Sequence, residues 1–179
     1  MKRLLIALIL LAQVQLHAQV KLPLLHDSMF STYYHQRVTL FKSMPQTTLR
    51  QAQGEIIFLG NSITDGSEWA QLFNDLRMKN HGISGDITAG VLHRLAVVTN
   101  RKPAKVFLLI GTNDLARGIS GDSVLENMLL IADYIKPQSP KTKLYVQSIL
   151  PVNEVYGKFG GHTKNTAVIK NCFPIILWS

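Results

Sequence analysis

The sequence predicts an α/β domain, a parallel sheet covered by helices on both faces. Two observations carry that expectation. Short apolar runs, "EIIFLG" from Glu55, "KVFLLIG" from Lys105 and "KLYVQSIL" from Lys143, have the length and composition of strands buried on both faces. Between them lie stretches whose apolar residues recur at helical spacing, so strand and helix alternate as they do when crossover helices join parallel neighbours. At 179 residues, 46% of them hydrophobic and 17% charged, the chain is long enough for one domain with a real core.

The first residues are expected to lie outside that domain. Lys2 and Arg3 precede an apolar run from Leu4 to Ala12, and a polar stretch then reaches Leu16, His17 and Ala18. This is the pattern of a signal peptide spanning 1–18, with cleavage after Ala18. An uncleaved anchor is the alternative, but the run is short for a bilayer. The expected product is secreted or periplasmic, without stable membrane insertion once the leader is gone, and its domain spans 19–179.

That domain opens with "SMFSTYYHQRVTLFKSMP", where Phe30, Tyr33, Tyr34, Val38, Phe41 and Met44 follow helical spacing and Ser28 is placed to cap the helix. The strand from Glu55 follows, then a shorter one in "RMKNHGI" from Arg77. From Asp86 to Val98, Ile87, Val91, Leu92, Leu95 and Val98 form the stripe of a helix. After the strand from Lys105, a second stripe of Val124, Leu125, Met128, Leu129, Ala132 and Ile135 predicts a helix over Asp122 to Lys136. The strand from Lys143 completes the alternation, with no repeat, low-complexity segment or linker to divide it.

Charge excludes some functions. Of 19 basic and 11 acidic residues, loss of Lys2 and Arg3 with the leader leaves 17 against 11, a net of about +6. Arg101, Lys102 and Lys105 form the one cluster, and it lacks the interleaved aromatics of a single-strand binding groove, so solvated surface is expected and no nucleic-acid partner. Cys172 is the single cysteine; it cannot form an internal disulfide and has no Cys or His neighbour at metal-ligand spacing.

In sheets of this kind ligands sit outside the carboxyl ends of the strands. The loops there are "GNSITDG" from Gly60, "GISGD" over Gly82 to Asp86 and "GTND" over Gly111 to Asp114. Taken singly, their residues are ordinary: serine caps helices, glycine serves turns, asparagine braces loops. Asp65 and Asp114 likewise read as caps or braces, His81 as a strand-end residue and His93 as a helix-surface one. Together they could act on a carbonyl. Ser62 offers a hydroxyl and its backbone N–H, Gly85 a backbone N–H that a substrate can approach, and Asn113 a carboxamide donor.

In these three blocks, in this order, the chain resembles the SGNH hydrolases, also called the GDSL esterase and lipase family. The resemblance implies Ser62 as nucleophile, with Gly85 and Asn113 as oxyanion-hole donors. It implies a flavodoxin-like three-layer α/β/α sandwich, and chemistry that needs no cofactor or metal. Asn61 stands where the family's name has aspartate, a variant similar to esterases of acetylated sugars and to platelet-activating-factor acetylhydrolase-like members. "SILPVNE" from Ser148 resembles the loop after the family's fourth strand, extending the likeness to Thr166.

The family's last block, Asp-x-x-His, supplies the general base, and no aspartate in this sequence has a histidine three residues later. His162 in "FGGHTKN", before a helix expected from Thr163 to about Lys170, does not match that block. The sheet is therefore expected to lack its last strand and helix. The tail "NCFPIILWS" is expected to reflect a frameshift or premature stop, with a short final strand as the alternative. The function implied is a serine esterase removing short acyl groups, acetyl groups on carbohydrate among them, impaired in this form. Its partners would be small-molecule or carbohydrate esters; nothing indicates an oligomeric state. Two other readings stand beside it: a non-catalytic module that binds acyl esters or carbohydrate, and a flavodoxin-like flavin binder using the hydroxyl-rich first loop.

Overall fold

The computed structural model of the chain describes residues 20, 22–46, 54–149, 152 and 176–178. The predicted leader, His162, the helix expected from Thr163 and Cys172 lie outside the described residues.

A 3₁₀ turn over Asp27–Met29 precedes helix α1, Thr32–Ser43. The cap is Ser31, whose hydroxyl accepts from Tyr34 N at 3.2 Å, and not Ser28, because the turn occupies the residues before it. Tyr34, Val38 and Phe41, spaced four and three residues apart, bury one face of α1 against Ile83. Strand β1, Ile56–Gly60, leads into two single-turn helices, α2 (Ser62–Asp65) and α3 (Trp69–Leu72). Next come β2 (Met78–Gly82), the pair α4 (Thr88–His93) and α5 (Leu95–Thr99), and β3 (Lys105–Leu109). Helix α6 (Thr112–Ala116) precedes the long α7 (Gly121–Gln138), then β4 (Lys143–Val146) and β5 (Ile176–Trp178). Helix α7 starts one residue before the expected bound because the Ser120 hydroxyl accepts from Ser123 N.

The sheet order is β2-β1-β3-β4-β5, the flavodoxin-like 2-1-3-4-5 arrangement, with β1 to β4 parallel. Strand β5 pairs antiparallel with β4, Val146 opposite Ile176, and occupies an edge of an otherwise parallel sheet.

Two further expectations are corrected. Instead of one helix over Asp86 to Val98, α4 and α5 meet at Arg94, whose φ of −108° and ψ of 11° break the helix while its side chain turns inward. Nor is Arg101 solvated. Its side chain is 5% exposed, grips both Glu55 carboxylate oxygens at 2.6 and 2.7 Å and donates to the carbonyls of Met44 and Pro45.

The strands are not equally buried on both faces, as the apolar runs had implied. Ile57, Leu59, Val106, Leu108, Leu144 and Val146 form one face and pack on Val91, Leu95, Val98, Met128 and Ile131 from α4, α5 and α7. The opposite face carries a half-buried aromatic row. No helix among the described residues is long and apolar enough to cross a membrane.

Candidate active site

Because β1 lies between β2 and β3, the loops that follow these three strands are neighbours at one end of the sheet. Ser62, Gly85 and Asn113 each sit on one of them.

The β1 loop turns sharply. A Cβ on Gly60 would stand 2.3 Å from the Leu109 carbonyl oxygen and 2.4 Å from Thr64 Oγ1, so a side chain there would push the turn off the neighbouring strand. Asn61 is buried and caps α2, its Oδ1 accepting from Ile63 N at 3.0 Å. That cap places Ser62 as the first helical residue, exposed to solvent. Among the described residues neither its hydroxyl nor its N–H has a hydrogen-bond partner.

The β2 loop is pinned almost everywhere. Ile83 N donates to Gly60 O at 3.0 Å and Ser84 N to Asp65 Oδ2 at 3.0 Å. Asp86 N donates to Ile83 O, Ile87 N to Asp86 Oδ1 and Thr88 N to the Asp114 carboxylate. Gly85 N–H is the exception in this run and has no partner among the described residues. Gly85 has φ of +80°, a conformation that glycine adopts without strain, and nothing lies within 4 Å of where a Cβ would be.

Asn113, half-buried, follows Gly111 (φ +110°) on the β3 loop and donates Nδ2 to Asp86 O at 2.8 Å. A carboxamide carries two N–H donors, so one hydrogen remains to point elsewhere. The loops of Gly85 and Asn113 are thus bonded directly. The Ser62 loop joins them through Gly60 O and through Asp65, which also accepts the Ser84 hydroxyl at 2.7 Å.

The aspartates act as braces, as the sequence suggested. Asp65 accepts from Tyr33, Arg37 and Ser84; burial pushes its carboxyl up, but the hydrogen bonds from Ser84 and Tyr33, with the charge of Arg37, bring it below the usual carboxylate range. Asp114, fully buried, accepts Thr88 N and the Thr88 hydroxyl at 2.6 Å, and burial raises its pKa. His81, the penultimate residue of β2, is fully buried, with neither ring nitrogen hydrogen-bonded among the described residues. His93 meets Asp27 at 2.8 Å and the Tyr34 hydroxyl at 3.1 Å, fastening the N-terminal turn to α4.

Arg94 escaped the sequence reading. Its guanidinium is 1% exposed, pairs with Asp86 at 2.8 Å and donates to the carbonyls of His81 and Gly60, joining the ends of β1 and β2. A signal existed: Arg94 stands three residues after Val91 and four before Val98, inside the apolar stripe. No group of three His, Cys, Asp or Glu side chains among the described residues could hold a metal ion.

The model of the GDSL-like lipase/acylhydrolase family matches residues 58–170, more than half of the chain. Over 111 residues the chain is 29% identical to platelet-activating factor acetylhydrolase IB subunit alpha2 of Homo sapiens, covering 59% of this chain and 48% of that one. The corresponding subunit of Gallus gallus is 30% identical over 111 residues, with the same coverage of 59% and 48%. The chain spans about half the length of these curated relatives. Among solved structures, a GDSL-like lipase from Bacteroides thetaiotaomicron superposes with a TM-score of 0.60 at 25% identity, over 76% of this chain and 69% of that one.

Proposed function

The chain belongs to the GDSL-like lipase/acylhydrolase family, and on that premise we propose that it is a serine ester hydrolase acting on short-chain esters. Ser62 Oγ attacks the ester carbonyl. The Ser62 and Gly85 N–H groups and the Asn113 carboxamide receive the oxyanion that forms. One observation carries the proposal: of the consecutive N–H groups from Ile83 to Thr88, the one at Gly85 is left without a partner among the described residues. An unpaired N–H held in a braced loop is a preorganised donor, ready for charge that develops during reaction.

The acetylhydrolase subunits among the relatives support a short acyl group, and the Asn61 variant of the first block supports acetylated carbohydrate as one source of it. The leader-like start supports export, with cleavage after Ala18 giving a secreted or periplasmic protein. Attack by Ser62 also requires a base for the hydroxyl proton, and this sequence has no Asp-x-x-His. The second reading is a module that binds acyl esters without cleaving them.

The test is hydrolysis of short aryl esters by a version of the chain carrying an Asp-x-x-His C-terminus. Ser62→Ala is expected to lower kcat/KM by about 10⁴-fold or more. Full activity in that variant would overturn the assignment. Saturable ester binding by the present sequence with no turnover in either version would favour the binding module.

A further inference from the structure

A cavity of about 170 Å³ lies beside Gly85, between the N-terminal turn and the β2 loop. Met29, Phe30, Ile83 and Ile87 give it apolar walls, while Tyr34, Ser31, Ser84, Asp86 and Arg117 make the rest polar. The volume is below the roughly 300–1,000 Å³ of a site that engulfs a whole drug-sized ligand, so it suits one substituent of a larger molecule.

Charge indicates which substituent. The described residues include five arginines, and four of them are paired with carboxylates: Arg37 with Asp65, Arg77 with Asp75, Arg94 with Asp86 and Arg101 with Glu55. Arg117, which is exposed, has no carboxylate partner among the described residues. It gives one N–H to Gly85 O at 2.8 Å, which fixes it at the cavity while leaving most of its donors unused. Asp86, which also lines the cavity and feels the Arg117 charge, is 1% exposed at its side chain and hydrogen-bonded to Arg94 and Ile87 N. An anchored guanidinium with N–H donors to spare, beside a recess of mixed polarity, is suited to receive a carboxylate or phosphate group.

We infer that this cavity is a subsite for an anionic substituent close to the scissile carbonyl, held by Arg117, so that the preferred substrates are negatively charged esters. The inference rests on the reading of Gly85 as an oxyanion donor.

Binding of inert amides tests it without requiring turnover. Acetanilide is the neutral probe. Succinanilate carries a carboxylate on the acyl side, and 4-acetamidobenzoate carries one on the opposite side. By isothermal titration at low salt, the full chain is expected to bind one of the anionic probes about tenfold more tightly than acetanilide. Arg117→Gln should abolish that preference, and Arg117→Lys should keep part of it. Ile87→Trp, which fills the cavity and leaves Arg117 intact, should weaken the anionic probe. Equal binding of all three probes, or a preference that survives both Arg117→Gln and Ile87→Trp, overturns the subsite. Ester hydrolysis lost in Ser62→Ala alongside equal probe binding would sink this inference and keep the esterase; the reverse pattern would keep the anion site and sink the esterase.

Discussion

Gly82 and Gly85 stand three residues apart in the sequence, yet the structure asks different things of them. A Cβ on Gly82 would fall 2.2 Å from Asp65 N and 2.5 Å from Asp65 Cα, which are backbone atoms of α2 and cannot swing aside. Gly82→Ala is therefore expected to cost about 3 kcal/mol, the upper end of what overpacking typically costs. Gly85→Ala meets no atom within 4 Å, and its cost is the strain of φ +80°, about 1–2 kcal/mol. Urea midpoints of the two variants check the order; an equal loss would mean that the β1 and β2 loops are not packed this closely. His81 shows a second effect of a single residue. Its ring is fully buried and stacked on Phe41 at 4.5 Å. Desolvation first, then the charges of Arg94, Arg101, Arg37 and Lys79, hold its pKa well below the ordinary value. Below about pH 6.5 the unfolded chain binds a proton that the folded chain refuses, so stability is complete above that pH and falls beneath it by up to about 1.4 kcal/mol per pH unit. Unfolding at pH 7.5 and 5.0 should show a smaller difference in His81→Phe than in the parent; the same difference in both would remove His81 from the account.

Between elements, buried charge decides where helices stop. The stripe from Ile87 to Val98 was legible, and Val91, Leu92, Leu95 and Val98 are indeed at most 1% exposed. The break at Arg94 was not, because apolar periodicity says which face turns inward and says nothing of an arginine that joins it to reach carbonyls on other strands. Arg101 was misjudged for the same reason: a basic cluster looks solvated until its acid, Glu55, arrives from 46 residues away. The oxyanion candidates were legible because they are local blocks following strands, whereas Arg94, Arg37 and Arg117 act across long sequence separations. Removing Arg94 leaves Asp86 buried without its counterion and uncovers the carbonyls of Gly60 and His81. Arg94→Met is expected to cost about 3–5 kcal/mol. Burial already pushes the Asp86 carboxyl up in spite of Arg94, so neutralising it should recover part of that loss. Chemical denaturation of Arg94→Met, Asp86→Asn and the double variant measures the coupling; additive losses would mean that the pair does not act as a unit.

Across the whole molecule, the sheet has two unlike faces. The expectation of strands buried on both sides came from runs such as "KVFLLIG", where every residue is apolar and alternation is invisible. In the structure the alternation returns as chemistry. Val106 and Leu108 are completely buried on the aliphatic face under α4, α5 and α7, while Phe107 points the other way and is half-buried. Phe58, Phe107 and Tyr145 share one register row, stacked at 5.2 and 4.7 Å, and Trp69 lies on Phe58 at 4.0 Å. The two faces should therefore contribute unequally to cohesion. Leu108→Ala empties a site that is already dry and close-packed, and is expected to cost about 3–5 kcal/mol. Phe107→Ala removes a larger side chain, but one already partly in water, and its neighbours on the row can lean together, so about 1–2 kcal/mol is expected. Equilibrium unfolding of the two variants separates the cases. A cost at Phe107 as large as that at Leu108 would mean that the aromatic row is sealed from water in solution, and the sheet would then have two cores rather than one.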